Sequence, residues 1–372
     1  MVESLLPDES QDLLEALDQP PITSVRLNKR KPVDVFPDST PVPWCVSGLY
    51  LAERPEFIFD PLLHAGAYYV QDASSMIYET VTTILQAKLT EENSGITNPL
   101  KVLDLCAAPG GKTTAMINAL SDDSEITANE YTRKRVSALQ ENLDRWGFPN
   151  VTVTNKDSSF FTSQGETYDI VAVDAPCSGE GMMRKEEIAR SQWSPELVSQ
   201  CATLQKNILE NAIKTLKPGG FLIYSTCTFN RSENEENAEF LANECGLEPV
   251  DLKLPESWHI PKGIDTDLPV YRFMPHKTKG EGLFLAVFRK KGEWSPSYLK
   301  IARGLKEDIP PLVEVDKDTA LAYLRRESIV LSPESPRGLV TISYKGLPLG
   351  PAKNIGSRAN NLYPKHRRIL KR

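Results

Sequence analysis

Short apolar runs alternate with amphipathic stretches through the middle of the chain. "KVLDLC", "EITANE", "VTVTNKD", "YDIVAVDAP", "FLIYSTC" and "GLFLAVFRK" are rich in β-branched and aromatic residues, and most end at small or polar turns, so each is predicted as a strand. Between them lie "KTTAMINAL", "TRKRVSALQENLDRWG", "SPELVSQCATLQKNILENAIKTLKPGG" and "SENEENAEFLANECG", predicted as helices. In the third of these, Ser194 suits the N-cap, Pro195 the first turn and Gly219 the end. Its Leu197, Cys201, Leu204, Ile208 and Leu216 recur at helical spacing, which predicts a core-facing stripe with Cys201 in the core. Ser232 and Glu235 have capping-box spacing. Strands alternating with helices predict a parallel sheet covered on both faces.

The flanks read differently. The first region, to about residue 95, is proline-rich and closes with a predicted helix, "DASSMIYETVTTILQAKL", and a polar linker, "TEENSGITNP". The last begins near Lys291, with a short helix in "DTALAYLRRES" and a β-hairpin in "GLVTISYKGLPLG" turning at Lys345–Gly346. The expected division is 1–95, 96–291 and 292–372.

Composition adds limits. With 372 residues, 40% hydrophobic and 25% charged, the chain can bury a sizeable core. No apolar run is long enough to span a membrane, and the acidic opening "MVESLLPDESQDLLEALDQ" predicts neither a signal nor a transit peptide. The six cysteines form no C-x-x-C pair and the four histidines no triad or ligand spacing, so no metal is expected. Reduced thiols and a cytoplasmic location are expected instead. The net charge of −7 hides an asymmetry: residues from Leu331 onward carry +8 and the remainder −15. That segment and the cluster "RLNKRK", Arg26 to Lys31, are candidate phosphate-binding surfaces.

The chemistry concentrates at predicted strand ends, where open α/β sheets bind ligands. "VLDLCAAPGGKTT", Val102 to Thr114, is a strand, a small-residue turn and a helix start, with room for a polar ligand to approach the backbone. It has neither dinucleotide-fingerprint nor phosphate-loop spacing. Glu130, Asp157 and Asp174 end the next three strands; Glu130 suits ribose hydroxyls, and an aspartate there can also cap the following helix. Lys112 suits a salt bridge or ligand positioning equally. Cys177 in "DAPCSGEGMMRK" and Cys227 in "YSTCTF" follow the fourth and fifth predicted strands on the same edge, and neighbouring strands would bring the thiols together. They are either buried structural thiols or reactive ones beside a nucleoside pocket.

"DLCAAPGGKT", "DAPCSGEGMMRK" and "YSTCTFNRSENE" together resemble the Nop/Sun family of RNA 5-methylcytosine methyltransferases, and the "GEGMMRK" ending resembles its small-subunit ribosomal RNA branch. "SVRLNK", "FDPLLHAGAYYVQDASSM" and "HKTKGEGLFLAVFRK" extend the resemblance, and "KGLPLGPAKNIGSRANNLYPKHRR" resembles the PUA-like RNA-binding end of that branch. The resemblance implies a Rossmann-like methyltransferase domain with an N-terminal α/β RNA-binding extension and a C-terminal PUA-like domain. It implies S-adenosylmethionine bound by Cys106, Ala107, Ala108, Pro109, Gly110, Gly111, Lys112, Glu130, Asp157 and Asp174. It also implies Cys227 as nucleophile, Cys177 as the residue releasing the product, and Asp174 near cytosine and the cofactor. His64 and Trp193 are expected to pack or to position RNA.

A thiolate is the group this chemistry needs. Its addition to carbon 6 of cytosine makes carbon 5 nucleophilic toward a methyl sulfonium, and a carboxyl near ring nitrogen 3 assists. A ribose 2′-O-methyltransferase would need no cysteine, a DNA cytosine methyltransferase would carry "PCQ" rather than "PCS", and a non-catalytic ribosome-assembly factor would not need both cysteine motifs. Small-subunit ribosomal RNA is the expected substrate, transfer RNA the alternative, and a monomer the expected state.

Overall fold

The computed structural model describes residues 8–297 and 310–371, so the first seven residues of the acidic opening and part of the third region lie outside the described residues. Three sheets organise the rest.

The first part contains helix α1 (Ser10–Asp18), strands β1 (Ser24–Leu27), β2 (Thr40–Val42) and β3 (Cys45–Tyr50), the short helix α2 (Pro61–His64), and β4 (Tyr68–Val70). The four strands form one sheet in the order β2-β3-β1-β4. His64 is buried and its Nε2 meets the Ile58 carbonyl at 2.9 Å, a packing role. Helix α3 (Ile77–Glu92) follows and lays Val81 and Leu85 against the core of the central sheet.

The central sheet is built from β5 (Lys101–Asp104), α4 (Gly111–Ala119), β6 (Glu125–Asn129), α5 (Arg133–Trp146), β7 (Val151–Thr154), α6 (Ser159–Thr162), β8 (Tyr168–Asp174), α7 (Glu187–Gln192), α8 (Pro195–Thr215), β9 (Leu216–Thr226), α9 (Glu235–Glu239), β10 (Glu248–Pro249), β11 (Val270–Phe273) and β12 (Leu283–Arg289). Successive side chains leave a strand on opposite faces. Val102 and Ile170 therefore join one core with α3 and α4, while Leu103 and Val171 join the other with α8. This double burial is why the strands read as continuous apolar runs.

The sheet is not all parallel. Strands β7, β6, β5, β8 and β9 are parallel neighbours, but β12 runs antiparallel to β9, with Phe284 opposite Thr226, and β10 and β11 pair antiparallel with β12. A run such as "GLFLAVFRK", buried on both faces, carries no signal of direction.

Two local expectations also change. Ser194 caps α8, accepting from Leu197 N–H at 3.1 Å, with Pro195 at the first position as expected. Its buried face, however, is Gln205, Ile208, Leu209, Ala212 and Thr215; Cys201 is only half-buried and Leu204 is 48% exposed. Gln205 is inside because it bonds to the Pro176 carbonyl and to Glu233. The Ser232–Glu235 capping box does not form, because Glu235 is paired with the buried Arg272 and accepts from Ile264 N–H. The predicted helix there is one short α segment continued by a π turn, Phe240–Glu244.

The last part holds β13 (Leu312–Glu314), α10 (Lys317–Leu324), β14 (Gly338–Tyr344), β15 (Leu347–Asn354) and β16 (Ala359–Asn361). The hairpin turns at Lys345–Gly346, both with positive φ, 48° and 74°, as a tight two-residue turn requires. Ala65, just past α2, packs into this core, and Arg367 pairs with Asp144 of α5.

"RLNKRK" is not an exposed phosphate-binding surface. Arg26 is fully buried over the Trp146 ring, and donates to Gln71, to the carbonyls of Gly111 and Thr114 and to the Thr114 hydroxyl. Lys29 pairs with Glu79 at 2.7 Å. Arg30 bonds to Asp122 and to the Ile117 and Leu120 carbonyls. Lys31 donates to the Ala65 and Arg145 carbonyls. The cluster ties the first sheet to α4 and α5.

Candidate active site

The turn after β5 is held from behind. Gly110, at φ 105°, caps α4, and a Cβ there would lie 3.2 Å from Leu139 of α5. Behind Gly111 sit Tyr69 and Gln71, and its carbonyl accepts from Arg26. The open faces of these glycines therefore meet protein. Cys106 and Ala108 line the neighbouring cavity; Ala107, Pro109, Gly110, Gly111 and Lys112 do not.

That cavity, about 670 Å³, opens beyond the carboxyl ends of β5, β6, β7 and β8. Glu130 lies in its wall, 3% exposed, its Oε1 accepting from Thr132 N–H at 2.7 Å and its Oε2 3.4 Å from Arg135. Asp157 also lines it. The Ser159 hydroxyl and N–H both donate to Asp157 Oδ1 and hold its carboxyl below the usual range, so it steadies α6 as well as facing the cavity. Burial and the surrounding carboxylates of Asp104, Asp174 and Glu130 push the Cys106 thiol well up. Asp104, beneath, is pushed up to about 7 by burial although the Thr113 hydroxyl donates to it.

At the other end of the cavity are Asp174, Cys177 and Cys227. Strands β8 and β9 are in register with Asp174 opposite Ser225, so the loops after them face each other. The two sulfurs lie 3.3 Å apart as free thiols. The hydrogen bond the two thiols share favours the Cys227 thiolate and, with help from Lys112, holds Cys227 below the usual thiol range; that bond and burial push Cys177 well above it. Lys112 donates to Asp174 Oδ2 at 2.7 Å, and Ser225 donates to Oδ1 at 2.7 Å. Burial works against the Lys112 charge, but Asp174 outweighs it and the ammonium stays above its ordinary value. Behind Ser225, at 2.8 Å, is the buried hydroxyl of Tyr78 from α3. With its one proton given to Asp174, Ser225 accepts from Tyr78.

Sequence reasoning missed several wall residues. Tyr131, 71% exposed beside Glu130, was legible as an aromatic at a strand end. Arg135, Leu204, Asn207 and Asn211 were not, because they sit on helix faces that reach the cavity only through the fold. Trp193 lies outside the wall, donating to Glu180 at 2.8 Å.

The family described as "16S rRNA methyltransferase RsmB/F" matches residues 93–289. This chain belongs to the RsmB/F family. The flanks of this RsmB/F member match "N-terminal domain of 16S rRNA methyltransferase RsmF" over residues 1–73 and "Methyltransferase RsmF PUA domain" over 310–369. It is 34% identical over 304 residues to the ribosomal RNA small subunit methyltransferase F of Pectobacterium atrosepticum, covering 77% of this chain and 60% of that one. The same-named protein of Aeromonas hydrophila is 36% identical over 256 residues, covering 67% and 52%. The chain thus spans little more than half the length of these curated relatives. Among solved structures, a methyltransferase homologue from Pyrococcus horikoshii matches at TM-score 0.65 and 26% identity, covering 78% of this chain and 93% of that one. NSun6 from the same organism matches at 0.62 and 20%, covering 78% and 97%, and shares the fold.

Proposed function

We propose that the protein transfers a methyl group from S-adenosylmethionine to carbon 5 of a cytosine in small-subunit ribosomal RNA through a covalent cysteine adduct. The observation that carries this reading is the pair of free thiols 3.3 Å apart in the wall of one cavity.

The cavity residues fit S-adenosylmethionine: the volume is that of a small-molecule site, a buried carboxylate, Glu130, stands at a strand end for hydroxyl groups, and Tyr131 offers an exposed ring. Glu130, Asp157 and the wall formed by Cys106 and Ala108 would hold it. When bound it supplies an electrophilic methyl group. Cys227 forms a bond to carbon 6 of the flipped base, and the ring electrons move toward carbon 5. Asp174, fixed at both oxygens by Lys112 and Ser225, stands beside the base. Bonding of Cys227 to carbon removes the partner of Cys177. Cys177 then gives its own proton to solvent and, as a thiolate, takes the carbon 5 proton once carbon 5 carries the methyl group; the electron pair left on carbon 5 re-forms the ring double bond and expels the Cys227 thiolate. RNA contact falls largely to the third region, from about residue 292, whose Arg337, Lys353, Arg358 and Arg368 are exposed and make no ion pair among the described residues.

Bisulfite mapping of cellular RNA with and without the gene tests the reading. Loss of one 5-methylcytosine in small-subunit ribosomal RNA is expected. An unchanged small-subunit map, or a loss in transfer RNA instead, would overturn the substrate assignment.

A further inference from the structure

The two thiol-bearing loops hold one another through exchanged carboxylates. Glu180 belongs to the Cys177 loop. Its Oε2 accepts from the N–H groups of Phe229 and Asn230, in the Cys227 loop, at 2.5 and 3.0 Å. Its Oε1 accepts from Trp193 Nε1 at 2.8 Å and Asn230 Nδ2 at 3.2 Å. Glu233 follows Cys227. Its Oε2 accepts from the N–H of Ser178, next to Cys177, at 3.0 Å and from Gln205 at 2.7 Å, and its Oε1 accepts from Asn230 Nδ2 at 2.7 Å. The Ser178 and Thr228 hydroxyls meet at 2.9 Å, and Gly181 N–H donates to the Cys227 carbonyl at 2.7 Å. A Cβ on Gly181 would lie 2.7 Å from that carbonyl oxygen, so the loops touch through backbone.

Both carboxylates are completely buried, and neither lines the cavity. Burying two such groups is costly, and apolar packing of the same volume would join the loops as well or better. What the carboxylates add is direction: Glu180 accepts two backbone N–H groups of the opposite loop and Glu233 accepts one. We infer that Glu180 and Glu233 are positioning residues that fix the separation of the Cys177 and Cys227 thiols. The inference rests on the reading of the thiols given above, but its test needs neither RNA nor cofactor.

The two thiols share a hydrogen bond at 3.3 Å, and separating them removes the largest influence that favours the Cys227 thiolate. The other charged groups acting on Cys227 are Asp174 and Glu233, which oppose the thiolate, and Lys112, which favours it. Glu180→Gln alters none of these. It sets an amide NH2 against N–H donors on one side of the side chain or the other, which pushes the loops apart. Glu233→Gln also removes a charge acting on both thiols, so Glu180 is the cleaner probe.

The experiment is peptide-resolved alkylation of the full chain with iodoacetamide across a pH series. In Glu180→Gln the midpoint for Cys227 should rise by roughly one pH unit, about a tenfold slower reaction at neutral pH. An unchanged midpoint in folded Glu180→Gln overturns the inference. Should that variant fail to fold, Trp193→Phe removes one donor to Glu180, and a smaller rise supports the inference while none overturns it. A shifted midpoint in a protein whose unsubstituted form transfers no methyl group leaves the positioning role standing and removes the methyltransferase reading instead.

Discussion

Two basic segments look alike in sequence and differ in the fold. Arg26 to Lys31 and the residues after Leu331 both read as phosphate-binding surfaces. In the first, Arg26, Lys29, Arg30 and Lys31 all have protein partners, and Arg26 is fully buried. In the second, Arg337, Lys353, Arg358, Lys365, Arg368 and Lys371 stand exposed, and only Arg367 has an ion partner among the described residues. A run of charges states how many cations a segment has. Carbonyls within reach decide whether they face solvent, and α4 and α5 offer the first segment a row of carbonyl acceptors.

The sharpest way to break this contrast is Arg26→Ala. It would leave the Gly111 and Thr114 carbonyls and Gln71 without their donor, so thermal or urea unfolding should report a loss of roughly 3–5 kcal/mol. A change within about 0.5 kcal/mol, with weakened RNA binding, would mean that Arg26 serves RNA after all.

Lys31 gives a smaller effect with a definite sign. Burial pushes its ammonium down to about 8, whereas an unfolded lysine titrates near about 10.4. Between those values the unfolded chain binds more protons, so stability should rise with pH from about 8 to about 10. Lys31→Met should flatten that rise in urea titrations, and an equal slope in both proteins would show Lys31 to be solvated.

Lys353→Ala and Arg358→Ala should do the reverse of Arg26→Ala. Stability should stay within about 0.5 kcal/mol, while the salt dependence of RNA binding loses up to about 0.9 of slope per phosphate contact removed. Unchanged binding across a salt series would move the RNA surface elsewhere.

Much of the central fold was legible because strands buried on both faces read as continuous apolar runs and turns read as small residues. Strand direction was not, since "GLFLAVFRK" would look the same either way. The meeting of Cys177 and Cys227 followed from adjacent strands ending at similar turns. Glu180 and Glu233 were hidden, because a carboxylate that folds onto a neighbouring loop looks in sequence like a solvated turn or helix start. The glycine turn was legible as a turn, but which face of it is open was set by Leu139, Tyr69 and Gln71, remote in sequence.

The most direct measurement of the central claim is a denaturing gel of labelled small-subunit RNA incubated with S-adenosylmethionine and each cysteine variant. Cys227→Ala should give neither methylation nor a protein–RNA band, because addition never begins. Cys177→Ala should methylate once and stall, leaving protein covalently attached to RNA. A trapped band with Cys227→Ala and free turnover with Cys177→Ala would reverse the roles, and full activity in both variants would show that the thiols 3.3 Å apart serve structure alone.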